Sequence, residues 1–427
     1  MNKILSIYKE RFLNSNLLKD SFWALLGSVL GKGLSLLAGI VVARFLGREI
    51  YGQYGLIKST LLNISVFSTF GLGYTGTRYI SKAFLEHKEE VRHIIRLIYR
   101  ITCLSSFIMA IMLFVFARDV AVFIKAPEMT NALRMTAAII ILNAINTTQI
   151  GMMSGLKQFQ RIAINNTYSG ILTFITSSVF TFFWGFTGAL LSLFVSMLFN
   201  AVINNISIRK VCESLDDKRA SVYSAREIVF FSIPIALQES LYSIVAWLGS
   251  YLIITYAGYG ELGINSAAMQ WSSVILFIPG VFKNVLLSYF SSSSETVSLR
   301  KKMIVVSFVS TFFPWVFVLA FSGIISSFYG ESYTSLSTVL RVACLTPVFS
   351  SISGVIIYEF ISHGENWRVF FIRLCRDVLS LLASWYCLVH FSNIPASIMV
   401  NITSLSVTFL FMVVLLFSIR MYDRSHN

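Results

Sequence analysis

Lys32 stands in the middle of the first long apolar run of the chain, where an ionised side chain is costly unless it faces water or a partner. Ser21, Ser28, Lys32, Ser35 and Gly39 follow one another at spacings of 7, 4, 3 and 4, which puts them on one face of a helix. Leu30, Leu34, Leu37 and Val41 turn elsewhere. A stripe of small and polar residues around a lysine describes the wall of a polar cavity. Lys58 shares a face with Ser65 and Thr69 in the second run, Arg341 lies about a turn and a half into the tenth, and Lys283 lies near the inner end of the eighth. Against these cations stands one central acid, Glu239, which reads as a protonatable coupling group or as the ion-pair partner of a lysine such as Lys32. A cavity with this excess of positive charge suits an anion, because low-dielectric walls strengthen the attraction. Glu359, Arg373, Arg376 and Asp377 gather near the inner ends of the tenth and eleventh runs, with Arg373 and Asp377 four residues apart. They read as a structural ion-pair cluster or an inner gate.

Covalent chemistry finds little support. The five His lie in loops, near helix ends or in the tail without metal-ligand spacing, and the five Cys show no paired spacing and read as small apolar fillers. There is no phosphate-cradling loop and no nucleophile elbow. No catalytic residue, metal or cofactor is expected; H+ or Na+ is the candidate coupling ion.

The elements that must hold these side chains are transmembrane helices. Apolar residues make up 56% of 427 positions and charged residues 13%, about half the share of a soluble domain. Runs long enough to cross a bilayer as helices fall near 21–46, 53–76, 95–117, 131–153, 163–184 and 187–208, then near 228–256, 264–288, 303–327, 336–361, 369–391 and 396–419. The fold class is an all-α polytopic membrane protein of about twelve helices. With the N-terminus inside, 25 Lys and Arg fall on the inner side and 3 on the outer, so both termini are expected in the cytoplasm. This distribution between apolar runs also turns the net charge of +14 away from nucleic acid and toward a membrane. Ile4, Tyr8 and Phe12, spaced among basic residues, read as an interfacial helix or a solvated tail.

A polar stretch divides the chain into an N-terminal lobe, 1–208, a cytoplasmic linker, 209–227, and a C-terminal lobe, 228–427. The turn ARFLGREIYGQYG of the first half and ITYAGYGELGINS of the second lie together without a gap, Gly47 and Gly52 falling on Gly258 and Gly263. Six helices per half make such a repeat parallel, about an axis along the membrane normal. Gly27, Gly31, Gly33 and Gly39 in the first span, and Pro234 in the seventh, are bending devices.

Residues 22–59, FWALLGSVLGKGLSLLAGIVVARFLGREIYGQYGLIKS, and 67–82, FSTFGLGYTGTRYISK, carry a family pattern. The Gly-Lys of span one, the turn after it and the Phe-Gly-Leu-Gly before a basic loop resemble the start of the Wzx-type O-antigen and polysaccharide-unit flippases. These belong to the multidrug/oligosaccharidyl-lipid/polysaccharide exporter superfamily. The resemblance implies two six-helix lobes forming a V around a central cavity and working by alternating access in the bacterial inner membrane. It implies as substrate an undecaprenyl-pyrophosphate-linked oligosaccharide, moved from the cytoplasmic to the periplasmic leaflet. A polysaccharide polymerase and a chain-length regulator are the candidate protein partners, with the lipid bilayer as the medium. Lys32 and Lys58 lie within the matched segment and take the headgroup-handling role; Arg341 and Lys283 join them on topology alone. Two rivals are weighed: an ion-coupled multidrug or cation antiporter of the extruder branch, and a membrane-embedded glycosyltransferase or polymerase. The first calls for a cavity rich in acids, the second for a large outer loop, and neither is evident.

Overall fold

The computed structural model describes residues 16–215, 224–277, 279–280, 296–362, 365–391 and 393–426. The amphipathic N-terminal segment, much of the central linker and Lys283 lie outside them. The helices are α1 (Asn16–Thr69), α2 (Leu72–Glu86), α3 (Val91–Val115), α4 (Ala117–Phe123), α5 (Thr130–Gly155), α6 (Phe159–Cys212), α7 (Ala225–Ile275), α8 (Thr296–Tyr329), α9 (Leu336–Ala343), α10 (Thr346–Ser362), α11 (Asn366–His390) and α12 (Ala396–His426).

α1 and α6 are each 54 residues long and α7 is 51. A straight helix of 54 residues would reach about 80 Å, more than twice the hydrocarbon thickness of about 30 Å. Each therefore breaks at one glycine: Gly47 in α1 (φ 71°), Gly185 in α6 (φ 53°) and Gly258 in α7 (φ 79°). A side chain would be strained in this left-handed region. In α6 the break is a reversal, since Gly188 comes against the carbonyl of Phe180, and Ser177 meets Ser192 at 3.1 Å. With these helices counted as two passes each, the protein is an all-α membrane protein of about twelve spans. α11 carries too many charges to read as a span by composition, yet its length and place match the eleventh run.

The chain forms two compact units. Unit 1 comprises residues 1–38 and 59–240; unit 2 comprises 39–58 and 241–427. In unit 1, α2 and α5 approach backbone to backbone. Gly151 abuts the carbonyl of Gly73, Gly155 abuts Ile80, and Thr77 Oγ1 donates to the carbonyl of Gly151 at 3.0 Å. Small residues four apart permit this in lipid, where apolar surface alone does not drive helices together. Around the contact Leu72, Ile80, Ile94, Ile98 and Met152 form a fully buried cluster. α3 shows how the sequence assigns its faces: Thr102, Ser106 and Ala110 turn inward, whereas Leu104, Phe107 and Phe114 are exposed. The polar residues are inside and the bulky apolar ones outside, as a lipid solvent requires.

Span two is not continuous. Phe70 (φ 46°) and Gly71 (φ 67°) separate α1 from α2. Hydroxyls bond carbonyls of the last turn before the break: Ser68 Oγ donates to Ser65 O at 2.8 Å, Thr69 Oγ1 to Val66 O at 3.1 Å, and Ser105 Oγ to Ser68 O at 2.5 Å. A broken helix at membrane depth is tolerated only where such groups are satisfied within protein.

Unit 2 contains both turns of the sequence repeat, and they meet. Gly52 lies against the carbonyl of Tyr259, and Gly263 lies against the carbonyl of Arg48. The offset of 211 residues that aligns the turns exchanges one contact for the other. The same offset relates Gly55 to Ser266, and these two touch each other. That is the contact pattern of a local two-fold axis. Gly47 and Gly258 also share one backbone conformation, with ψ of 166° and −176°. Tyr51, Tyr54, Tyr329 and Tyr333 pack beside the crossing. Tyr333 donates to Ala43 O at 3.2 Å, Trp271 to Tyr329 at 2.9 Å and Tyr51 to Gln270 at 3.3 Å.

Candidate functional site

In unit 1, Gly31 lies against the backbone of Asn166, and Gly170 lies against Gly31, so α1 and the first arm of α6 touch along that line. Lys32, the next residue, sits about 100° further round the helix and is exposed. Ser35 is exposed as well and donates to Gly31 O at 2.8 Å. The cation and this serine thus share an exposed face, flanked by the glycine contact of Gly31 with α6. An ammonium on a spanning helix is tolerated on a face open to water rather than to lipid.

Glu239 is half-buried, at the end of the α7 segment assigned to unit 1. Seven residues earlier, Ser232 is fully buried and meets Thr75 Oγ1 at 2.7 Å. The face containing Glu239 therefore begins in a packed seam and opens along the helix toward exposed Tyr242.

Lys58 and Arg341 belong to unit 2, and both are exposed. Arg341 is fixed: its Nε donates to Ser322 Oγ at 2.9 Å, and its carbonyl accepts from Trp315 Nε1 at 3.2 Å. The residues assigned to an inner gate separate into two arrangements. Glu359 pairs with Arg300 at 2.9 Å, with side-chain exposures of 1% and 7%. Asp377 pairs with its neighbour Arg376, whose Nε donates to Oδ1 at 2.8 Å. Arg373 is half-buried four residues from Asp377.

Arg300 is a functional-type residue that the hydropathy reading counted as a loop charge. Its signal was an isolated Glu359 at membrane depth, which needs a cation from somewhere. Glu261 is another. It accepts from the Ser397 backbone N–H at 3.0 Å and from Ser397 Oγ at 2.6 Å, so a carboxylate caps the first turn of α12. Asn265, one turn on, accepts from Asn401 at 2.8 Å. The five cysteines are free, and Cys103 and Cys375 are exposed rather than buried. Among the described residues no group of His, Cys, Asp and Glu has the arrangement of a metal site.

A helical protein of about twelve spans, with exposed cations on its spanning helices, has the build of a membrane transporter. The comparisons with known proteins agree. Residues 17–294 match the family described as polysaccharide biosynthesis protein, and the chain belongs to that family. It is similar to the EPS I polysaccharide export inner membrane protein EpsE of Ralstonia solanacearum, 21% identical with 87% of each chain covered. It is similar also to an uncharacterised membrane protein of Methanocaldococcus jannaschii, 22% identical over 92% of this chain and 96% of the other. Among solved structures, a multidrug resistance MATE family transporter of the MOP superfamily in its inward-facing conformation aligns over 92% of this chain and 95% of its own. The TM-score is 0.76 at 16% identity. The outward-facing conformation of a transporter so described aligns over 97% and 98%, with a TM-score of 0.71 at 15% identity. The fold is that of these MATE family transporters, and the family match agrees with the resemblance to polysaccharide-unit flippases.

Proposed function

We propose that the protein is a flippase for a lipid-linked oligosaccharide, an undecaprenyl-pyrophosphate-borne repeat unit, carried from the cytoplasmic to the periplasmic leaflet of a bacterial inner membrane. The observation that carries this reading is Lys32, a cation on an open face of a spanning helix within the family-matched region. A pyrophosphate is the anion such a cation would receive, and the sugars behind it need a polar wall of the kind that Ser35 supplies. Lys58 and Arg341 are assigned to the same binding role, and Glu239 to proton or Na+ coupling. Transport proceeds by alternating access between two six-helix halves, with both termini in the cytoplasm. A polymerase and a chain-length regulator receive the product.

The test is a deletion strain complemented in trans and scored for surface polysaccharide. Lys32→Ala is expected to abolish complementation while the protein still accumulates in the membrane, and Lys32→Arg to retain part of it. Full complementation by the alanine variant would remove Lys32 from the site. The alternative is an ion-coupled multidrug or cation antiporter, which the MATE-like fold accommodates. Efflux of an organic cation from proteoliposomes, lost in Glu239→Gln, would favour it over the flippase.

A further inference from the structure

One basic cluster has no part in the transport site above. A cavity of about 250 Å³ opens at the start of α3, lined by His93, Arg96, Leu97 and Arg100. Their spacing of 3, 1 and 3 keeps them on one side of the helix, and among the described residues no acidic side chain lines the cavity. It is smaller than the roughly 300–1,000 Å³ of a small-molecule pocket, which fits a compact headgroup rather than a bulky ligand. The helix beneath is pinned, because Arg92 Nε donates to Cys212 O at 2.6 Å and so ties the start of α3 to the end of α6. Exposed Arg209 and Lys210 lie in that last turn of α6, within a turn of Cys212.

A second observation concerns the same face of α3. Beyond Arg100 no charged residue occurs until Arg118, and the face continues through Leu104 (65% exposed), Phe107 (56%), Ile108 and Ile111. From Arg100 to Ile111 this strip is about 16 Å long, close to one leaflet of a hydrocarbon core about 30 Å thick. Cationic cavity and apolar strip therefore stand in the order and at the spacing of a lipid's headgroup and its acyl chain. A free phosphate would use the first and have no need of the second.

We propose that the His93–Arg96–Arg100 cavity is a binding site for the phosphate headgroup of an anionic membrane phospholipid, with its acyl chain along Leu104, Ile108 and Ile111. Two guanidinium groups supply the charge and the forked donors that phosphate oxygens accept. The site is separate from the transported substrate, so its test does not depend on transport.

The full-length protein is reconstituted in nanodiscs with phosphatidylglycerol in a phosphatidylcholine background, and bound lipid is counted by native mass spectrometry after release. The wild type is expected to retain phosphatidylglycerol over phosphatidylcholine. In Arg96→Gln/Arg100→Gln the retention should fall about 30-fold, at about fivefold for each cation near an anionic lipid surface. Arg96→Lys/Arg100→Lys should keep most of it, which separates lost charge from lost folding. Equal retention of both lipids by the wild type overturns the proposal, and so does undiminished retention by the glutamine pair. Protection by inorganic pyrophosphate against an arginine-directed reagent at Arg96 or Arg100, without any protection by phosphatidylglycerol, overturns the lipid assignment.

Discussion

In unit 1 the seam between α5 and the second arm of α6 is closed by carboxamides, Asn146 donating to Met197 O at 2.9 Å and Gln149 to Ala201 O at 3.0 Å. The two arms of α6 are joined in the same way, Asn165 reaching Asn204 at 2.8 Å and Ser207 at 3.1 Å. In unit 2 ionisable groups share that duty with neutral pairs such as Asn265 and Asn401: Arg300 with Glu359 between α8 and α10, and Glu261 on the first turn of α12. Neutral donors and acceptors can separate and find other partners at modest cost, whereas a buried charge that loses its partner has nowhere inexpensive to go. The carboxamide seams of unit 1 are thus tolerant of single polar losses, and the Arg300–Glu359 pair of unit 2 is not.

The largest expected effect follows from that contrast. Arg300→Met removes the guanidinium that pairs with buried Glu359 and should cost about 3–5 kcal/mol, read as lower thermal stability in detergent or nanodiscs. Replacing both partners, Arg300→Met with Glu359→Met, should recover most of it. If the double variant is as unstable as the single, the pair does not hold α8 to α10 in the way described.

That pair also shows where the sequence stops being legible. Hydropathy begins the ninth span near 303, whereas the helix begins at Thr296, so Arg300 passed for a loop charge when it lies on a buried helical face. The basic residues from Arg78 to Arg100 were read as a loop for the same reason, although most lie on α2 and α3. Chain reversals were easier to see, because Gly47, Gly185 and Gly258 punctuate otherwise apolar runs and only glycine meets their backbone geometry readily. The break at Phe70–Gly71 was not seen as a break. Its letters sit inside a continuous apolar run, and the hydroxyls that compensate it come partly from Ser105 on another helix. Lys32 and Ser35 are both exposed, but so are Leu30 and Leu37; Asp377 pairs with Arg376, inside the cluster read from the sequence, whereas Glu359 pairs with Arg300 outside it.

The glycine crossing sharpens the comparison from another side, since it brings to unit 2 the close backbone approach that unit 1 uses between α2 and α5. Gly263→Ala would drive a methyl group into the carbonyl of Arg48, and Gly52→Ala into that of Tyr259. Overpacking of this kind costs about 1–3 kcal/mol. Because the local two-fold exchanges the contacts, the two variants should lose similar amounts in thermal unfolding. A loss confined to one of them would show that the symmetry is geometric but not energetic.

Glu261→Gln removes the charge at the α12 N-terminus but leaves an oxygen able to accept from Ser397. The expected loss is about 0.3–1 kcal/mol, the usual worth of a charge near a helix end, and added salt should shrink it. A loss of several kcal/mol, insensitive to salt, would mean that Glu261 is desolvated like Glu359 rather than acting as a half-buried cap.

The smallest effect belongs to unit 1. Asn165→Ala deletes two hydrogen bonds between the arms of α6 and takes the donor from Asn204 Oδ1, yet both residues left behind keep a bond of their own. Ser207 Oγ still donates to Ile203 O at 3.0 Å, and Asn204 still donates to Asn200 at 3.3 Å. Interhelical polar contacts in membranes average about 0.6 kcal/mol, partly because alternatives of this sort exist. The reversal at Gly185 and the contact of Gly188 with Phe180 would keep the arms together without Asn165. A shift of only about 0.6 kcal/mol is therefore expected in thermal unfolding. A loss as large as that of Arg300→Met would abolish the distinction between the units, because it would mean that a neutral seam in lipid is as unforgiving as a buried ion pair.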